Sequence, residues 1–290
     1  MASCRGFRSR FRVVGRSQSR WPLLCVHGGP GFGIAYLEPL EEMHTTGRQV
    51  VFYDQLGCGA SDRPGAAFPW SLEYFLDELE SVRRAAGLEQ YHLLGHGWGG
   101  MLALEHALRR PPGLRSLVLS SVVPSVPLWR QELAALVAAM PDEIRLALLT
   151  HRQSAGRGSV EWRGAADAVL RRALCRLTPW PDSLERSHRE ARRHSGARDA
   201  IFGSNELAPG GLLADWDIRP RLGEIHLPVL VVSGRHDLVT PPLAASLYQG
   251  IPASEWVVFE HSAHMPHLEE PRHYLELLDG FLQRTENAGR

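Results

Sequence analysis

The chain has no surplus of charge. Its 290 residues carry 32 basic and 32 acidic side chains, so nothing global draws it to a phosphate backbone or an anionic membrane. It also lacks any apolar run approaching the length of a membrane crossing and any sustained hydrophobic signal segment, which makes the cytoplasm the expected compartment. Cysteine is scarce: Cys4, Cys25, Cys58 and Cys175 have neither metal-site spacing nor the density of a disulfide scaffold, and reduced thiols are expected. Acidic residues are missing from the first 37 positions, where Arg5, Arg8, Arg10, Arg12, Arg16 and Arg20 gather. A frayed end followed by a surface strand is the reading of that segment, ahead of a targeting arm or a nucleic-acid contact. No repeat and no low-complexity linker interrupts the rest.

What is present alternates between two patterns. RFRVV at 10–14, WPLLCVHGG at 21–29, RQVVFYDQLG at 48–57, YHLLGH at 91–96, LRSLVLSSVV at 114–123, LPVLVVSGRHD at 227–237 and SEWVVFEHSAH at 254–264 read as strands, several ending in glycines or polar residues. Between them SLEYFLDELESVRRAAGL at 71–88 has helical spacing, with Ser71 as N-cap and Gly87 as stop. MLALEHALRR and the terminal LEEPRHYLELLDGFLQR are also helical. From Pro124 to about Ala208 the pattern is mostly helical and lacks strong strand alternation. The expected architecture is an α/β fold with a mostly parallel sheet covered on both faces. Its core spans 1–123 and 209–290, with a helical cap at 124–208 inserted into it. Only one clear strand is expected before LLCVHGG.

Catalytic loops in such a sheet gather at the carboxyl ends of the strands, and the motifs lie there. GHGWGG at 95–100, placed between a strand and a helix, has the form of the G-x-S-x-G turn that lifts a nucleophile above a sheet, with Gly97 where the serine belongs. Asp237 and His264 follow strands in the order expected of a triad acid and base. His261 and His267 compete for the base and Asp217 for the acid. HGGPG at 27–31 lets the backbone approach a carbonyl through Gly28 and Gly29. The N–H groups of Gly29 and Trp98 are candidate oxyanion donors. HGGPG also looks like a phosphate nest, but neither a P-loop pattern nor a dinucleotide fingerprint follows that strand, which argues against nucleotide binding there. Asp54 and Gln55 are expected to brace the entrance or the HGG loop, and Trp129, Trp162 and Trp216 to line a cavity under the cap.

HGGPG, YDQLGCGASDRP, GHGWGG, SGRHDLVTP and HSAHMPHLEEP, in that order from about Cys25 to Phe281, resemble the proline iminopeptidase group of capped α/β-hydrolases. The resemblance implies Gly97 at the nucleophile position, Asp237 as acid and His264 as base, with no metal or cofactor. In GSNELAPG it implies Glu206 as a cap carboxylate holding a substrate's positively charged N-terminus; Gly28 and Trp98 join it as substrate-binding positions. The group's second glutamate, after the triad acid, is Leu238 here. The implied partner is a small peptide, amino-acid amide or ester, not nucleic acid or membrane, and a homo-oligomer is left open. Neither Cys58 nor Cys175 sits in the elbow to replace the serine. Three accounts of Gly97 stand: a serine exchanged by design, a natural noncatalytic ligand-binding relative, or a member using His264 with water or running a lyase or cyclisation reaction.

Overall fold

The computed structural model describes residues 1–17, 19–150, 159–205 and 207–288. The chain opens with a hairpin, β1 (Ala2–Cys4) and β2 (Phe7–Ser9), turned at Arg5 and Gly6. Seven further strands form one sheet: β3 (Phe11–Val14), β4 (Leu23–Val26), β5 (Val50–Tyr53), β6 (Tyr91–His96), β7 (Leu114–Ser120), β8 (Val229–Gly234) and β9 (Ser254–Phe259), in the order β3-β5-β4-β6-β7-β8-β9. β3 runs antiparallel at one edge and each remaining neighbouring pair is parallel.

Because β4, β5, β6 and β8 are buried at every position, their unbroken apolar runs make sense only with helices on both faces. Alternate residues point opposite ways. Leu24, Val51, Leu93, Leu117 and Val231 join one core with α1 (Leu72–Ala85), α2 (Trp98–Leu108) and α8 (Pro241–Gly250). Leu23, Phe52, Leu94, Val118 and Val232 join another with a long 3₁₀ segment, Ala35–Thr46, and the terminal helix α10 (Pro271–Ala288). Ser71 caps α1 by accepting the N–H of Tyr74 at 3.2 Å, and Gly87 ends it at φ +67°, as the sequence pattern required.

Between β7 and β8 the described residues form helices and no sheet strand: α3 (Val126–Ala138), α4 (Asp142–Thr150), α5 (Val160–Ala173), α6 (Asp182–Arg193) and α7 (Gly196–Phe202). α4 and α5 share a small core of their own around Leu148, Trp162 and Val169. α6 turns Leu184, Ser187 and Ala191 inward, and the Ser187 hydroxyl accepts the N–H of Tyr36 at 3.1 Å. The carbonyls of Ala173 and Leu174, at the end of α5, accept the N–H groups of Leu238 and His264, each at 3.1 Å. A short helix, α9 (Pro266–Glu269), follows the His264 loop. Among the described residues no helix is long and apolar enough to cross a membrane.

Two expectations about the N-terminus need correction. It is not frayed, and three strands rather than one precede LLCV. Ala2 and Cys4 are buried against the sheet and α1, and the Ser9 hydroxyl bonds to buried Glu78. Four of the six clustered arginines are answered by acids elsewhere in the chain: Arg5 by Asp77, Arg8 by Asp62, Arg12 by Glu41 and Arg20 by Asp279.

Candidate active site

β6 delivers its last residue, His96, to a turn in which Gly97 has φ 52° and ψ −118°, a combination that side chains other than hydrogen rarely adopt. α2 begins at the next residue. The neighbouring glycines let this turn sit close to its surroundings, for a Cβ at Gly99 would meet the carbonyl of Val26 and one at Gly100 the side chain of Val122. The result is the sharp strand-to-helix elbow expected of GHGWGG.

Above the elbow stands His264. A Cβ built on Gly97 would lie 3.3 Å from its Nε2. Its Nδ1 is 2.6 Å from Oδ1 of Asp237, and Asp237 in turn accepts the N–H of Val239 at 2.8 Å and of Gly234 at 3.4 Å. An ionised carboxylate only accepts, so the imidazole carries its proton on Nδ1 and directs the Nε2 lone pair toward position 97. The competing residues are otherwise engaged. Asp217 is held by Arg219 at 2.9 Å, which lowers its pKa. His267 is buried against the Tyr36 carbonyl at 3.1 Å, and burial pushes its pKa down to about 3. His261 is exposed.

The HGG loop reaches the same place. Gly29, at φ +115°, lines a pocket with Gly97, Trp98 and His264, a cavity with about 920 Å³ of empty space, part of it open to solvent. Trp98 supplies the first N–H of α2, one of the donors a helix start leaves without an internal partner. Gly28 differs from expectation: its N–H donates to the Tyr36 hydroxyl at 2.7 Å, and a Cβ there would press on Tyr36 and His96. Gly28 packs the loop, and Gly29 faces the pocket. Gln55 braces the loop, donating to the His27 carbonyl at 2.7 Å and accepting the Trp98 indole N–H at 2.8 Å. Asp54 accepts the N–H groups of Ile34 and Ala60, both at 3.1 Å.

Helices of the insert close the pocket, contributing Trp129, Leu170, His188, Arg192 and Phe202. Of the three tryptophans expected there, only Trp129 is a lining residue. Trp162 faces the α4–α5 core, and the Trp216 indole donates to Glu105 on α2 at 2.8 Å. Glu206 lies outside the described residues. Cys58 and Cys175 are buried; burial raises both thiols, that of Cys175 to about 12, so neither ionises readily. All four cysteines are free, and among the described residues no group of three His, Cys, Asp or Glu is placed to hold a metal.

Two features were not read from the sequence. Gly95, Gly97 and Gly100 also spell G-x-G-x-x-G, but α2 already begins at Trp98, inside the motif, and His264 Nε2 stands 3.3 Å from the position of a Cβ on Gly97. A buried bridge also joins the two loops of the site. The Tyr36 hydroxyl, having accepted Gly28 N–H, lies 2.9 Å from His96 Nδ1, and His96 Nε2 lies 2.8 Å from the His264 carbonyl. A carbonyl can only accept, so Nε2 donates and Tyr36 donates to Nδ1. Burial, with His264 and His267 nearby, drives the His96 pKa well down and keeps it neutral. Nothing in the spacing of Tyr36 and His96 signals this contact.

Known proteins share this fold. Residues 22–271 match the α/β-hydrolase-fold family. A proline iminopeptidase of Clostridium botulinum is 36% identical over 283 residues, covering 97% of this chain and 96% of that one. The chain belongs to the α/β-hydrolase-fold family, in its proline iminopeptidase group. Among solved structures, the proline iminopeptidase of Mycobacterium smegmatis superposes with a TM-score of 0.93 at 33% identity, over 100% of this chain and 99% of that one. The protein VinJ gives the same TM-score at 34% identity, over 98% and 97%. For this α/β-hydrolase, both structural matches extend over nearly the whole chain.

Proposed function

We propose that this α/β-hydrolase has the site of an aminopeptidase-type serine hydrolase for small peptides, amides or esters with a free N-terminus, with Gly97 where the attacking serine would stand. One observation carries the reading: the 3.3 Å between His264 Nε2 and the position of a Cβ on Gly97, with Asp237 behind the imidazole. With a serine there, His264 would take the hydroxyl proton as the oxygen attacks the carbonyl. The N–H groups of Gly29 and Trp98 would receive the oxyanion, and His264 would then protonate the leaving group and activate water against the acyl-enzyme. The present chain has no oxygen at residue 97 and is severely impaired in that first step. The insert, 124–208, acts as the cap over a core of 1–123 and 209–290. Glu206 is assigned the substrate amine, a role that suits the charge of a carboxylate. The names of the relatives support the same substrate class.

Aminoacyl arylamides test the proposal. Gly97→Ser is expected to raise kcat/KM by on the order of 10³-fold or more. In that background Glu206→Gln should depress free-amine substrates much more than N-blocked esters. A correctly folded Gly97→Ser protein without activity on any amide or ester would refute the hydrolase reading. Saturable ligand binding without such a gain would favour a noncatalytic binding protein.

A further inference from the structure

We propose that Ser121 belongs to the site as an acceptor for the substrate's free α-amine. It follows β7 directly, and its N–H donates to the Val232 carbonyl at 2.8 Å, which fixes it at the sheet's carboxyl end. Two costs coincide at this residue. Its φ is +55°, a conformation that few residues other than glycine adopt, and its buried hydroxyl has no hydrogen-bond partner among the described residues. Strain and an unsatisfied polar group persist where something else gains from them. Ser121 lines the pocket shared by Gly97 and His264, and its carbonyl oxygen lies 4.0 Å from the position of a Cβ on Gly97.

That position suits an amine. In an aminoacyl substrate the α-nitrogen is two bonds from the scissile carbonyl carbon, about 2.5 Å away, and that carbon must come to about 3 Å from the attacking atom. Groups that recognise the amine therefore sit within a few ångströms of position 97. A protonated amine brings two or three N–H donors, and Ser121 offers two acceptor oxygens, carbonyl and hydroxyl. Among the described residues lining the pocket there is no Asp or Glu, so within that set an amine finds its acceptors in neutral oxygens. The assignment rests on the aminopeptidase reading above, yet it is tested without turnover.

Calorimetric titration of the unaltered chain with prolinamide and with N-acetylprolinamide measures it. Prolinamide should bind more tightly, and Ser121→Ala and Ser121→Gly should each weaken it about tenfold without changing the N-acetyl compound. Neither variant should melt lower than the parent, and Ser121→Gly should melt higher because glycine accepts the positive φ. Unchanged prolinamide affinity in both variants overturns the role of Ser121 alone. A clear fall in melting temperature for Ser121→Ala also overturns it, because the hydroxyl would then have a partner inside the protein. A parent chain that binds the two amides equally overturns the amine-recognising reading and this inference together.

Discussion

Position 97 sets conformation against chemistry. At φ 52° and ψ −118° glycine is at ease, whereas any other residue is strained by about 1–3 kcal/mol. A change that introduces a nucleophile there should therefore destabilise the fold. Gly97→Ser is expected to lower the melting temperature by several degrees, on the scale of about 2–4 °C per kcal/mol for a chain of this size, and calorimetry alongside the activity assay would reveal the trade. A serine protein that melts at or above the parent would mean the elbow is not strained. Single residues were unevenly legible. Asp237 and His264 could be chosen because each follows a strand end, a position the sequence punctuates. Trp162 and Trp216 were misplaced because composition says nothing of direction: a large aromatic serves a helix–helix core as readily as a pocket wall. Ser121 gave no sign at all, since only glycine advertises a positive φ.

At the level of elements, the N-terminal hairpin depends on a buried carboxyl. Glu78 of α1 accepts from Ser9 and from the N–H of Leu56 at 2.8 Å, and burial pushes its pKa up to about 8. A carboxyl raised in the folded state binds its proton more tightly there than in the unfolded chain. Its contribution is thus present in full below the unfolded value near 4.5 and is lost as pH climbs toward 8. Glu78→Gln, which stays neutral, should gain on the parent by up to about 1.4 kcal/mol per pH unit over that window. Denaturant unfolding at pH 5 and pH 8 would measure it, and a gap independent of pH would show that Glu78 is ionised throughout. Long apolar runs such as those of β4, β6, β7 and β8 announced themselves in the sequence, as did α1 through its cap and stop. β1 and β2 did not, being three residues each and too short for alternation to register. The 3₁₀ segment Ala35–Thr46 buries Tyr36, Leu37, Leu40 and Met43, but Pro39 interrupts it, so its packing against α10 was equally hidden.

For the whole molecule, the helical insert and the loops that carry Asp237 and His264 are one structure where α5 ends. The Ala173 and Leu174 carbonyls hold the N–H groups of the residue after Asp237 and of His264 itself, while the Trp129 indole donates to the Leu238 carbonyl at 3.1 Å and Thr240 to Glu132 at 2.7 Å. If α5 leaves the core as a unit, the amides of Leu238 and His264 should exchange with solvent deuterium at a common rate, faster than the central strand β6. Unequal rates, with one amide as protected as β6, would contradict joint release.

The same two bonds restrict traffic. On the aminopeptidase reading proposed above, lifting this corner of the insert to admit a peptide would slacken the imidazole and its carboxylate partner at the moment they are needed, so guests would arrive and depart along a seam where no such stitch joins the insert to the loops beneath.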